Sequence, residues 1–150
     1  MRLWHYKLIP MLPQKMLVSQ WRECIAIKRQ WEKGTLKHRL VSYVKNYDKE
    51  MFLLYTELVI EEMNERKIRY NQNLLQELSD FCNHRINTTL FIPYLEHNEK
   101  YLIQCIVNLE EKHDREIISD QEWSKIATYG KSTIANIVKR ELENWGRKMI

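Results

Sequence analysis

Hydrophobic side chains recur every three or four positions along most of the chain, the spacing that places them on one face of a helix. The clearest run lies between Pro13 and Gly34, residues that suit the first turn and the end of a helix. Its apolar positions are Leu17, Trp21, Cys24, Ile25 and Trp31. Since there is no useful alternation of polar and apolar residues and only 3 Gly and 3 Pro occur in 150 residues, the sequence predicts an all-α fold.

The same spacing predicts further helices in the middle of the chain. We expect a short helix over residues 36–44, a long central helix from its cap Asp48 to about Lys67, and a shorter helix over residues 74–81. Residues 86–93 are predicted to form a loop, because their Asn, Thr and Pro residues disfavour helix.

The C-terminal part is predicted to contain a helix over residues 98–114 and then a helical hairpin. Ser119 and Glu122 have the spacing of a capping box, which opens a helix. A turn is expected around Gly130, followed by a last helix.

Length and composition limit the class of protein. A chain of 150 residues that is 44% hydrophobic can bury one sizeable core. We therefore expect a single compact domain of five to seven helices, with a body over residues 1–118 and a hairpin over residues 119–150 packed on the same core. No apolar run approaches the roughly 20 residues that cross a bilayer. The 3 cysteines, an odd number at wide spacing, are expected to be reduced and buried, as in a cytoplasmic protein.

Charge is distributed unevenly along the chain. Residues 1–45 contain 10 lysines and arginines but 2 acidic residues, a net charge of +8, whereas the remaining residues have a net charge of −4. Such polarity is typical of a surface that binds nucleic acid or another polyanion. The alternative is a set of ordinary solvated helix faces.

The first long helix carries the candidate chemistry on two neighbouring stripes. Lys15, Arg22 and Arg29 are seven positions apart and form a basic stripe. Glu23 lies on the adjacent stripe, beside small groups such as Ala26. By itself this spacing is also typical of a solvated Glu–Arg pair, worth under about 1 kcal/mol.

Three short motifs occur in order at the start of the chain: MRLW at residues 1–4, LV at residues 17–18 and WRE at residues 21–23. A short N-terminal arm followed by an Arg-Glu pair on the first long helix resembles the active-site arrangement of the pyrimidine-dimer DNA glycosylase family, the phage endonuclease V type and its bacterial relatives. The resemblance continues more loosely to about Tyr70, fades between residues 71 and 118, and returns faintly at Trp123 and at residues 129–131.

The resemblance implies a glycosylase and abasic-site lyase that acts on cyclobutane pyrimidine dimers in double-stranded DNA. In such enzymes the N-terminal α-amine attacks the sugar and forms a Schiff base, a role that would fall to Met1. An α-amine, with an ordinary pKa of about 7.7–8.0 against about 10.4 for lysine, is more often unprotonated at neutral pH. Glu23 would be the catalytic acid and base. No metal or organic cofactor is needed, and we expect a monomer.

The resemblance also implies which residues contact DNA. Arg2 and Arg22 match the cations that grip phosphates in the family, and Lys15 and Arg29 are further candidates for backbone contacts. His5 lies near the proposed nucleophile and is a candidate for orienting the substrate.

Two positions depart from the family pattern. The phage type exposes a threonine after its methionine is removed, whereas Arg2 is too bulky for normal removal of Met1, which then takes the threonine's place. The family also has an arginine one turn after the glutamate, where this chain has Ala26. Arg29 is the candidate to replace that arginine.

Two other function classes are consistent with the sequence. A non-catalytic DNA-binding protein would use the basic N-terminal face or the C-terminal hairpin, which resembles a helix-turn-helix unit with Lys131 as a DNA contact. A protein-interaction domain is the third class. Cys82 and His84 come nearest to the spacing of metal ligands, but without a second closely spaced pair they do not predict a metal site.

Overall fold

The structure is a computed structural model that describes residues 1–82 and 94–149. Within these ranges the chain is helical and contains no strand, which confirms the predicted all-α class. The predicted loop over residues 86–93 lies outside the described residues. The described residues form five α-helices and two 3-10 helices. The α-helices are α1 (Gln14–Glu32), α2 (Lys49–Glu65), α3 (Gln72–Phe81), α4 (Glu99–Asp114) and α5 (Asp120–Lys148), and the 3-10 helices span Tyr6–Met11 and Ser42–Asn46.

Local sequence signals set the ends of α1 as predicted. Pro13 precedes its first residue, and the Pro13 carbonyl accepts hydrogen bonds from the next turn. The helix is closed by Gly34, whose φ of +73° is a left-handed conformation that glycine adopts without strain. The predicted helix between these two residues is confirmed.

The predicted short helix over residues 36–44 is displaced toward the C-terminus. The chain forms a 3-10 helix over Ser42–Asn46 instead. The carbonyl of Leu36 accepts a hydrogen bond from Lys45 Nζ at 2.6 Å, so a side chain satisfies a backbone group that a helix would otherwise have paired.

Helices α2 and α3 confirm the predictions for the middle of the chain. Asp48 occupies the N-cap position of α2, which buries Phe52, Tyr55 and Val59 and packs against α1. Asn71 caps α3 by accepting hydrogen bonds from the backbone N–H groups of Asn73 and Leu74 in the first turn of that helix.

The chain divides into two compact units, Met1–His97 and Asn98–Ile150. The first contains α1, α2, α3 and both 3-10 helices, and the second contains α4 and α5. The division expected after residue 118 falls instead within the second unit, in the turn that joins α4 to α5. The capping box of Ser119 and Glu122 is present at the start of α5, as predicted.

The predicted C-terminal hairpin is wrong, because α5 is one continuous helix of 29 residues. Gly130 lies inside this helix and is buried. A Cβ atom at this position would lie 3.3 Å from the Cγ2 atom of Ile106 on α4, so the glycine permits a close approach of two helices rather than a turn. The helix-turn-helix hypothesis therefore has no structural basis.

The cysteines match the prediction of reduced, buried thiols. Cys24, Cys82 and Cys105 are all buried, and none is in a disulfide bond within the described residues. Burial raises the pKa of the Cys24 and Cys82 thiols to about 12, so both are protonated and unreactive at neutral pH. In the part of the chain that is described, no helix has the length and apolar character needed to span a membrane.

Candidate active site

The N-terminal arm, residues 1–5, is packed into the first unit from its third residue onward. Leu3 and Trp4 are buried, with relative exposures of 0% and 5%. The arm leads into the 3-10 helix that begins at Tyr6, which the sequence analysis did not predict. The start of the chain is thus a fixed part of the fold and not a mobile end.

The arm runs beside the carboxylate of Glu23 on α1. The backbone N–H of Arg2 donates a hydrogen bond to Glu23 Oε2 at 3.1 Å. Glu23 is half-buried, and within residues 1–82 and 94–149 it forms no ion pair, including none with the adjacent Arg22. No cation of the described residues therefore occupies the Glu23 carboxylate.

The hydrogen bond of Arg2 limits the position of the α-amine. Two bonded carbon atoms separate the Met1 nitrogen from the Arg2 nitrogen, so these two atoms are at most roughly 3.6 Å apart. The amine therefore lies within about 7 Å of Glu23 Oε2. Among the described residues the carboxylate bonds to the peptide N–H of Arg2 and not to the amine itself.

Gln20, one turn before Glu23 on α1, connects the arm to the rest of the site. Its side chain is fully buried, and Oε1 accepts a hydrogen bond from the Trp4 N–H at 2.7 Å. Nε2 donates to the Arg2 carbonyl at 2.9 Å and lies 3.4 Å from Glu23 Oε2. The Tyr55 hydroxyl of α2 completes the cluster, 2.5 Å from the Trp4 carbonyl oxygen and 3.1 Å from Gln20 Oε1.

This cluster was not predicted from the sequence. The available signal was a polar side chain, Gln20, at an inward position of α1 between Leu17 and Trp21. A polar residue on a buried helix face must find hydrogen-bond partners inside the fold, so its position marks a polar site.

The part of the chain that contains this site matches a known protein family. A family model described as pyrimidine dimer DNA glycosylase matches residues 1–76, which is just over half of the chain. The protein belongs to the pyrimidine-dimer DNA glycosylase family. The matched region contains the arm, α1 and α2, and thus Glu23, Gln20 and Tyr55. Neither the curated proteins nor the solved structures searched gave a match.

Membership of the glycosylase family implies DNA as the substrate, and the cations beside the site suit this ligand. Lys15, Arg22 and Arg29 are exposed on α1, and within the described residues none of them forms an ion pair. The guanidinium group of Arg2 lies 4.9 Å from the centre of the Trp4 ring, a cation–π contact that holds its charge next to the arm.

His5, the candidate for orienting the substrate, does not lie on the surface of the first unit. The ring is 2% exposed and stacks on Tyr6. Its Nδ1 accepts the N–H of Lys7 at 3.2 Å, and its Nε2 lies 2.9 Å from the carbonyl oxygen of His97. Because Nδ1 is an acceptor, Nε2 carries the proton and donates to that carbonyl.

A second buried histidine, His97, ties the arm to the end of the first unit. Its Nδ1 accepts the N–H of Tyr6 at 3.3 Å, and its Nε2 lies 2.8 Å from the hydroxyl of Tyr43. Burial, reinforced by the neighbouring His5, lowers the pKa of His97 to about 3. The ring is therefore neutral at physiological pH and serves as a structural acceptor.

Two other candidate residues lie apart from this cluster or outside the described residues. Lys131 is exposed on α5 in the second unit, and its predicted role depended on the hairpin that is absent. His84 of the Cys82–His84 pair lies outside the described residues. Within residues 1–82 and 94–149, no group of three His, Cys, Asp or Glu side chains could hold a metal ion.

Proposed function

We propose that the protein is a DNA glycosylase with abasic-site lyase activity, which acts on cyclobutane pyrimidine dimers in double-stranded DNA. The α-amine of Met1 is the nucleophile and Glu23 is the general acid and base. The observation that supports this proposal most directly is the hydrogen bond of 3.1 Å between the Arg2 N–H and Glu23 Oε2, which keeps the first residue beside a carboxylate.

The first half of the reaction replaces the base by the enzyme's amine. The lone pair of the Met1 nitrogen forms a bond to C1′ of the sugar while the bond between C1′ and the pyrimidine nitrogen breaks. The electron pair of that bond leaves with the pyrimidine, which takes up a proton from water. The Glu23 carboxylate stabilises the positive charge that develops at the sugar and accepts the proton that the amine loses. When that proton passes to the ring oxygen, the sugar ring opens and a protonated Schiff base forms between C1′ and Met1.

The second half of the reaction cuts the strand. Removal of a proton from C2′ by Glu23 sends an electron pair toward C3′, and the bond from C3′ to the phosphate oxygen breaks by β-elimination. Water then hydrolyses the Schiff base, which releases the α-amine of Met1 unchanged.

Binding of the duplex uses cations of the first unit. Arg22 precedes Glu23 in the sequence, and the backbone of Arg2 is hydrogen-bonded to the Glu23 carboxylate. Both arginines would contact phosphates next to the lesion. Lys15 and Arg29 would contact phosphates farther along the strand. Kinking a duplex and displacing a nucleotide cost less at a dimer that already distorts the stack, so the deformation contributes to selectivity for damage.

The test is reductive trapping with borohydride. The protein is incubated with duplexes that contain a pyrimidine dimer, an abasic site or no damage, and covalent complexes are separated under denaturing conditions. We expect complexes with both damaged duplexes and none with the undamaged one. Glu23→Gln should abolish turnover and leave DNA binding largely unchanged, whereas the control Glu61→Gln, an exposed acid on α2, should behave as the unmodified protein.

Two results would contradict the proposal. Binding that weakens with salt but gives no trapped complex would indicate a non-catalytic DNA-binding protein that uses the basic N-terminal face. Absence of both binding and trapping would leave a protein-interaction domain as the remaining class.

The oligomeric state and the location of the protein are part of the same proposal. We expect a monomer of 18.4 kDa, which size-exclusion chromatography with light scattering would measure directly. A cytoplasmic location is supported by the 3 cysteines, which are buried and reduced. A species of twice this mass would refute the monomer.

A further inference from the structure

The carboxamide of Gln20 binds the N-terminal arm as a neighbouring strand would. In an extended chain, the carbonyl of one residue and the N–H two residues later point to the same side. Gln20 takes up these two groups of the arm, with Nε2 on the Arg2 carbonyl and Oε1 on the Trp4 N–H, at 2.9 and 2.7 Å. A displacement of the arm by one residue would break both hydrogen bonds.

The same carboxamide reaches Glu23. Gln20 and Glu23 are three positions apart on α1 and therefore lie on the same face of the helix. Nε2 has two hydrogens, one for the Arg2 carbonyl and one directed at Glu23 Oε2, 3.4 Å away. The orientation of the carboxamide is fixed, because the Trp4 N–H requires an acceptor and the Arg2 carbonyl requires a donor.

We propose that Gln20 is a positioning residue for the reaction of the N-terminal amine: its carboxamide sets the register of the arm, and with it the distance from the Met1 nitrogen to the Glu23 carboxylate. This inference depends on the proposed function. Gln20 is 0% exposed, so it does not touch DNA and acts only through the arm and Glu23. Removal of the Gln20 carboxamide should therefore slow the chemical step and leave the affinity for DNA nearly unchanged.

Two substitutions separate the functions of the carboxamide. Gln20→Met keeps the volume of the side chain and removes all its strong hydrogen bonds. Gln20→Glu keeps an acceptor for the Trp4 N–H but has no donor for the Arg2 carbonyl, and it adds a negative charge beside Glu23. Gln14, the exposed first residue of α1, supplies matched controls with the same two substitutions.

The experiment is single-turnover borohydride trapping with an abasic-site duplex at a series of DNA concentrations. Both Gln20 variants should trap more slowly by roughly 10- to 100-fold, the cost of a reactive group misplaced by about 1 Å, at an unchanged half-saturating DNA concentration. In Gln20→Glu the acidic limb of the pH–rate profile should also move to higher pH, because a nearby negative charge makes Glu23 bind a proton more tightly. The Gln14 variants should match the unmodified protein.

Tyr55→Phe is a second perturbation, for use if a Gln20 variant does not fold. It removes the hydroxyl that contacts both the Trp4 carbonyl and Gln20 Oε1, and leaves Gln20 itself in place. We expect slower trapping at an unchanged half-saturating DNA concentration, together with faster hydrogen exchange at the Trp4 amide.

The outcomes distinguish a failure of the role of Gln20 from a failure of the proposed function. If the unmodified protein traps DNA and the folded Gln20 variants trap it equally fast, the role of Gln20 is refuted while the proposed function stands. An increase in the half-saturating DNA concentration with an unchanged rate would also refute it, since Gln20 would then act on binding. If the unmodified protein traps nothing, the proposed function itself fails.

Discussion

Two buried tyrosines allow a matched test of the hydrogen bonding that holds the N-terminal arm. Tyr55 and Tyr94 are 0% and 1% exposed, and both lie in the first unit. The Tyr55 hydroxyl lies 2.5 Å from the Trp4 carbonyl oxygen, whereas the Tyr94 hydroxyl has no hydrogen-bond partner in the described part of the chain. The same substitution to phenylalanine should therefore have opposite effects at the two sites.

The magnitude follows from what each substitution leaves behind. Tyr55→Phe deprives the buried Trp4 carbonyl of this donor, and an unsatisfied buried group costs about 1–3 kcal/mol. No cavity contributes, since only one oxygen atom is removed. Tyr94→Phe removes a buried hydroxyl that gains no hydrogen bond, so the free energy of unfolding should stay unchanged or rise by up to about 1 kcal/mol.

Urea unfolding followed by tryptophan fluorescence can measure both variants. In a background of Trp123→Phe and Trp145→Phe, the signal comes only from Trp4, Trp21 and Trp31, which all lie in the first unit. A change of less than about 0.5 kcal/mol in the free energy of unfolding of Tyr55→Phe, or an equal loss in Tyr94→Phe, would refute a stabilising role of the Tyr55 hydroxyl.

Further predictions concern pH, backbone conformation and salt. Because the pKa of His97 is about 3 in the folded protein, the unfolded chain binds more protons than the folded protein below about pH 6.5. As the pH is lowered below this value, the free energy of unfolding should decrease by about 1.4 kcal/mol per pH unit more than in His97→Gln. Urea unfolding of both proteins at about pH 7 and about pH 5 would measure this difference. Parallel curves would contradict this. Gly34→Ala should cost about 1 kcal/mol because its φ is +73°, whereas Gly146→Ala, on a helix with no atom near its Cβ, should not lower thermal stability. Arg22→Ala should reduce the slope of log affinity for DNA against log salt by about 0.9, and Lys131→Ala, outside the region matched by the family, should leave it unchanged. Equal slopes for the two variants would argue against Arg22 as a phosphate contact.

Features that depend on a few neighbouring residues could be predicted from the sequence. Pro13 and Gly34 delimit α1, and the capping box at Ser119 and Glu122 opens α5, because caps and left-handed turns act within one turn of the helix. The place of Glu23 on α1 followed from the same helix and from the motifs at the start of the chain.

Features that depend on distant contacts could not be predicted. Gly130 has the appearance of a turn residue, and only its closeness to Ile106 shows that it is a contact between helices. The ring of His5 is hydrogen-bonded to the carbonyl of His97, which lies 92 positions later. The bonding of Gln20 depends on how the arm folds back onto α1, which no local pattern specifies.

The most direct test of the account is to identify the atom that carries the DNA after trapping. The borohydride-reduced complex with an abasic duplex is digested with nuclease and protease, and the modified peptide is sequenced by mass spectrometry. We expect the sugar remnant on the α-amine of Met1, and no trapped complex when this amine is acetylated. A remnant on a side chain such as Lys7 or Lys15, or a complex formed by the acetylated protein, would contradict the central claim.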